Sequence, residues 1–220
     1  MMPRTYYPIM LDVSGRRCVV VGGGRVALQK VSALLEAGAS VRVVAPRIDE
    51  ALRSLCDVEL CEAPYGPSSL DGAVLAIAAT DVPEVNARVF ADCRARGVLC
   101  NVVDRPEWCD FILPSVLRRG LLTVAVSTGG ASPSLAGRLR RRLEEQFDAA
   151  YEPLLEALAA ARALVRRRVS DETLRRRIAD DLASDELLEA ARQGPAALDR
   201  AVRDVLRHYG IADDDDAKTA

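Results

Sequence analysis

The chain has 220 residues, half of them hydrophobic, and a net charge of −2 from 30 basic and 32 acidic side chains. This composition excludes wholesale disorder and an overall polycationic nucleic-acid binder, and no apolar run reaches the roughly 18 residues that suggest a membrane span. One histidine, His208, and six cysteines without a C-x-x-C pair leave no pattern for a resident metal, so the cysteines are read as buried thiols of a reducing, cytoplasmic compartment.

The N-terminal MMPRTYYPIMLDV reads as no secretory signal. Arg17–Val21 (RCVVV) is β-branched and ends at three glycines, which predicts a buried strand and a tight turn. A helix is predicted over 26–37, with Val31, Leu34 and Leu35 on its apolar face and Gly38 as its stop. Strands follow at 41–44, 58–61, 73–79 and 98–103, with helices at 48–55 and 83–96, the latter opened by Pro83. This alternation predicts an α/β fold, a parallel sheet covered by helices. Residues 111–114 and 121–127 predict two strands outside the repeat, and Ser132-Pro133 opens a helix to about 147. From Tyr151 to Tyr209 the apolar residues keep helical spacing, broken at Gly194-Pro195, and no internal repeat is visible.

Gly22-Gly23-Gly24-Arg25-Val26-Ala27 fits G-x-G-x-x-G/A between a predicted strand and a predicted helix, the context a dinucleotide-binding loop requires. Gly22 permits the turn, Gly24 lets the backbone approach a pyrophosphate, and Ala27 lets helix pack on strand. The alternative is a plain glycine turn. The acid expected about 20 residues on is missing. Ala45-Pro46-Arg47 stands there, and Arg47 reads either as a 2′-phosphate partner, favouring NADP, or as a solvated loop charge. Thr80-Asp81 reads as crevice lining or as a helix N-cap before Pro83. Asn101-Val102-Val103-Asp104-Arg105-Pro106 ends the fifth strand, and Asp104 reads as a proton acceptor or as a turn residue partnered by Arg105. Ser127, Thr128, Gly129, Gly130 and Ser132 form a glycine turn into a helix start. With Arg138 they read as an anion site, or else as a capped helix with a solvated arginine face. The runs Arg166-Arg167-Arg168 and Arg175-Arg176-Arg177 read as solvated faces.

These motifs, with Tyr7-Pro8-Ile9, Lys30, Asn86, Phe111-Ile112-Leu113-Pro114-Ser115 and Ser134-Leu135-Ala136, resemble the precorrin-2 dehydrogenase/sirohydrochlorin ferrochelatase family over about residues 6–145. That family includes the first module of bacterial siroheme synthase. The resemblance implies NAD-dependent oxidation of precorrin-2 to sirohydrochlorin and, in many members, insertion of ferrous iron to give siroheme. It implies a Rossmann-like domain over 1–113, a dimerisation region over 114–147 and a helical domain over 148–210, before an acidic tail over 211–220. A homodimer is implied, with Asp104 as the acid/base residue. Cofactor contacts are implied at Gly22, Gly23, Gly24, Arg25, Val26, Pro46, Arg47, Thr80, Asp81 and Asn101. Substrate contacts are expected at Ser127, Thr128, Gly129, Gly130, Ser132 and Arg138. Some members carry a serine where this chain has Thr128, so a phosphoserine there does not transfer. Two alternatives stay open: a dehydrogenase without chelatase activity, and a non-catalytic NAD-sensing module.

Overall fold

The valines of β1 (Arg17–Val21) need apolar cover on both faces, and the fold supplies it: Val19, Val20 and Val21 are at most 1% exposed. The computed structural model describes residues 5–211, which divide after Leu113 into two compact units. In the first, β1 is followed by α1 (Arg25–Glu36), β2 (Ser40–Val44), α2 (Glu50–Arg53), β3 (Val58–Cys61), β4 (Ala73–Ala78), α3 (Pro83–Arg96) and β5 (Leu99–Val102). The strands form one parallel sheet in the order β3-β2-β1-β4-β5. Cys18 and Val20 face a core shared with Ala27 and Val31 of α1 and Leu52 of α2. Val19 and Val21 face the opposite core, shared with Val89 and Cys93 of α3. The alternation of one strand therefore builds both layers.

The strand ends are aligned. Cys61, Val44, Val21, Ala78 and Val102 form one row of register partners across the sheet. Each chain that continues past this row leaves from the same sheet edge.

In the second unit, β6 (Ser115–Arg119) and β7 (Leu122–Val126) form an antiparallel hairpin against which α4 (Pro133–Gln146) packs. The strand predicted at 111–114 is absent. Phe111 packs on the α1-side core of the first unit, its carbonyl accepts from Asn101, and Pro114 has no N–H to give a ladder. That run is apolar because it is packed, not because it is paired. The helices α5 (Tyr151–Arg168), α6 (Glu172–Leu182), α7 (Asp185–Gln193) and α8 (Pro195–His208) enclose a third core around Ile178, Leu187 and Leu198. Asp171 caps α6 by accepting from the Leu174 N–H at 2.9 Å, and Gly194 turns between α7 and α8 at φ +118°. Ile211, assigned from the sequence to the acidic tail, is buried in this core, and residues 212–220 lie outside the described residues.

Among the described residues no helix is long and apolar enough to cross a membrane. Four cysteines (Cys18, Cys93, Cys100 and Cys109) are buried, and burial pushes the Cys18 thiol above its ordinary pKa. The expectation of six buried thiols is corrected at Cys56, which is exposed in the turn before β3, and at Cys61, which is half-buried.

Ile77, the penultimate residue of β4, is 2% exposed. Ile77→Ala is expected to lower stability by about 2–5 kcal/mol, read as a lower midpoint of urea unfolding.

Candidate active site

The glycine loop is held by contacts that only small residues permit. Gly22 has φ +136°, and a Cβ on it would fall inside the contact distance of the Ala79 carbonyl. A Cβ on Gly23 would collide with the Arg47 carbonyl. The loop is thus wedged between the ends of β2 and β4, with Gly22 N–H donating to Val44 O at 2.9 Å and Ala79 N–H to Val21 O at 2.8 Å. Gly24 differs: the nearest neighbour of a Cβ there is Asp49 Oδ2 at 4.0 Å. Gly24, Arg25 and Val26 are exposed, and α1 starts without a side-chain cap and without an acidic residue in its first turn. An open helix N-terminus beside a bare backbone is what a pyrophosphate requires, so these residues fit a dinucleotide.

The structure also explains the missing acid after β2. Ala45 is 5% exposed and turns its methyl toward Gly23, where a carboxylate would be buried against the loop. Pro46 and Arg47 are exposed beyond it. The carboxylate appears instead at Asp49. Its N–H donates to Gly23 O at 2.9 Å, and its side chain is the one nearest Gly24 and makes no cap bond to α2. Sequence reasoning missed Asp49 because it looked for an acid at the strand end itself. The signal available was an Asp shortly after the Pro46-Arg47 turn.

At the end of β4, Thr80 is locked by two bonds to Asn86. Its hydroxyl donates to Asn86 Oδ1 at 2.8 Å, and Asn86 Nδ2 donates to the Thr80 carbonyl at 3.0 Å. Asn86 is 8% exposed, so this pair anchors the loop to α3. The N-cap position of α3 belongs to Val82, whose N–H is accepted by Thr80 Oγ1 at 3.1 Å. Neither Thr80 nor Asp81 is the cap residue, and Asp81 is exposed. Asn101 lies within β5, is 8% exposed and donates from Nδ2 to Phe111 O at 2.8 Å. Its amide is committed to holding the chain that leaves the strand.

Asp104 stands two residues beyond Val102, as Thr80 stands two beyond Ala78, and Val103 N–H donates to Ala78 O at 3.0 Å. Two strand spacings separate β1 from β5, so the glycine loop and Asp104 emerge about 10 Å apart on one edge. Asp104 is exposed with φ +59°, a left-handed conformation that Asp tolerates better than most side chains at a cost of about 1 kcal/mol. Among the described residues no hydrogen bond or ion pair engages its carboxylate. Arg105, the partner the turn reading required, lies 3.7 Å from Glu107 and over the Trp108 ring at 5.6 Å.

The loop at 127–133, in the second unit, is a capped turn. Ser127 Oγ accepts from Gly129 N–H at 3.1 Å, Thr128 Oγ1 from Ser132 N–H at 3.0 Å, and Ser132 Oγ from Leu135 N–H at 3.2 Å as the cap of α4. Gly129 and Gly130 take φ +63° and +88°. Each hydroxyl thus spends a lone pair on the backbone and keeps its proton to donate. Arg138 is exposed on the first turns of α4, while Arg140 pairs with Glu144. Among the described residues no group of three His, Cys, Asp or Glu side chains is placed to hold a metal ion.

Residues 9–115 match the family described as "Putative NAD(P)-binding", and residues 119–146 match "Sirohaem biosynthesis protein central". The siroheme synthase of Chromobacterium violaceum is 42% identical over 211 residues, 94% of this chain and 45% of that protein. That of Azotobacter vinelandii is 44% identical over 78% of this chain and 38% of that protein. The chain therefore spans under half the length of these relatives. A solved structure titled "SirC, precorrin-2 dehydrogenase" superposes with a TM-score of 0.74 over 92% of this chain and all of its own, at 24% identity, and so shares the fold.

Gly24→Ala separates folding from binding. The site leaves room for the methyl, so the thermal midpoint should hold within a few degrees, while NADH affinity, titrated by fluorescence, should fall about tenfold or more. Unchanged NADH affinity would place the dinucleotide elsewhere.

Proposed function

The chain belongs to the siroheme-biosynthesis family whose NAD(P)-binding and central modules it carries in order, and on that premise we propose that it oxidises precorrin-2 to sirohydrochlorin, with NAD as hydride acceptor. The observation that carries this reading is the shared sheet edge, where the open glycine loop and the unengaged carboxylate of Asp104 leave neighbouring ends of one register row. When bound, the nicotinamide supplies the electron sink for a C–H bond of the macrocycle. Losing a hydride from a reduced tetrapyrrole also requires losing a proton, and the Asp104 carboxylate accepts it. The left-handed backbone at Asp104 and the Val103–Ala78 bond hold that carboxylate at the edge of the sheet.

Asp49 favours NAD over NADP in this reading. A carboxylate beside Gly24 opposes a further phosphate on the adenosine ribose and can accept from its hydroxyls. Iron insertion into sirohydrochlorin follows as a second activity of the same residues. Ferrous iron is then a substrate, and Asp104 removes pyrrole protons as the metal enters. The hydroxyls of Ser127, Thr128 and Ser132, each with a proton left to donate, the turn glycines Gly129 and Gly130, and the guanidinium of Arg138 bind substrate carboxylates. A cytoplasmic location suits a chain whose cysteines are reduced.

The protein acts as a homodimer. A two-stranded hairpin is marginal alone, and α4 covers only the Leu117 side of this one. On its other side Val116 and its register partner Ala125 are exposed. A second copy of the same hairpin face covers them.

Asp104→Asn tests the chemistry, because asparagine keeps the size and the tolerance of left-handed φ and removes only the charge. NADH formation at 340 nm with anaerobic precorrin-2 should fall about a hundredfold or more, with NADH affinity unchanged. Full activity in the variant would move the base elsewhere, and no activity in the native chain would leave a nucleotide-binding module. Val116→Asp tests the assembly: sedimentation equilibrium should show dimers for the native chain and monomers for the variant.

A further inference from the structure

The helical unit carries a groove that neither matched family segment covers. It lies between α5 and α6, encloses about 570 Å³, and falls within the volume range of small-molecule sites. Its floor is apolar, with half-buried Leu158 and exposed Ala179 offering accessible surface above the buried Val165 and Ile178. Its rim holds four arginines: Arg162, Arg166, Arg175 and Arg176. The one acid present, Glu172, is paired with Arg176 at 2.7 Å on the surface. Among the described residues Arg162 and Arg166 have no ion-pair partner; Arg175 donates from Nη2 to the Ser170 carbonyl at 3.1 Å, while its Nε is buried without a hydrogen-bond partner. Guanidinium groups left over above an apolar floor are not the arrangement of a merely solvated face, where cations alternate with acids along the helix.

We propose that this groove is a second binding site for an amphipathic polycarboxylate, a macrocycle of the product class whose ring lies on the apolar floor while its carboxylates take the arginine rim. The commitment to a macrocycle rests on the proposed dehydrogenase reading, which puts such a molecule at the chain. Charge complementarity makes the choice. Three positive charges remain after the Glu172–Arg176 pair, and Arg forks match carboxylates in pairs. Such a site holds product on the helical unit after it leaves the sheet edge and limits its loss to bulk solvent.

The probe is uroporphyrin, an unreactive polycarboxylate macrocycle, titrated into the full chain by its fluorescence. Arg162→Glu/Arg166→Glu reverses two exposed charges on α5 without touching the core. The native chain should bind two macrocycles and the double variant one, the lost site weakening about tenfold or more. NADH affinity and the initial rate with precorrin-2 should stay unchanged. Equal stoichiometry and affinity in both proteins, or no binding to the native chain, would overturn the groove. The dehydrogenase reading fails on a separate readout, because a native chain that forms no NADH from precorrin-2 can still lose a macrocycle site in the variant.

Discussion

The demand of β1 for burial on both faces organises the first unit. Val19 and Val21 on one side and Cys18 and Val20 on the other require helices above and below the sheet. The chain meets this by winding outward from β1 in both directions, β2 and β3 to one side and β4 and β5 to the other. Where the winding reverses, between β1 and β4, α1 and α3 depart on opposite faces and leave a crevice at the strand ends. The glycine loop opens there because a parallel sheet of this order makes an opening nowhere else along that edge.

The three consecutive glycines divide their work according to what surrounds them. Gly22 and Gly23 are small because backbone carbonyls of Ala79 and Arg47 approach them. Gly24 is small although nothing in the protein approaches it. A packing requirement explains the first two, whereas the third is the open N-cap of α1, where the proposed pyrophosphate contact would need a bare backbone. The same logic applies to the polar residues of the edge. Thr80, Asn86 and Asn101 satisfy one another or a nearby backbone group, so they fix the loops. Asp104 has no such engagement and sits in a conformation with a small strain cost.

Arginine use in the second unit shows a comparable split. Arg140 and Arg176 have acids one helical turn away and behave as ordinary surface pairs. Arg162 and Arg166 lie on the same helical stripe of α5, four residues apart, above an apolar groove and without acids. Like charges at that spacing destabilise an isolated helix slightly, so the stripe is better explained by an anion than by helix stability.

The sequence alone determined the βα alternation, the buried β1, the glycine loop and the helical second half, because period-2 and period-3.6 patterns and glycine punctuation are local properties of the chain. The positions of Asp104 and Thr80 were also legible there, since each directly follows a strand predicted from the sequence. The apolar run at 111–114 looked like a strand because hydrophobicity does not distinguish a paired segment from a packed one, and only the tertiary contact of Phe111 decided it. Asp49 was hidden because its place beside Gly24 depends on a turn folding back, which spacing does not encode. The arginine groove was read as a solvated face for the same reason. Whether charges on two helices share one rim depends on how α5 and α6 pack, and that is decided by the core around Ile178 rather than by either helix.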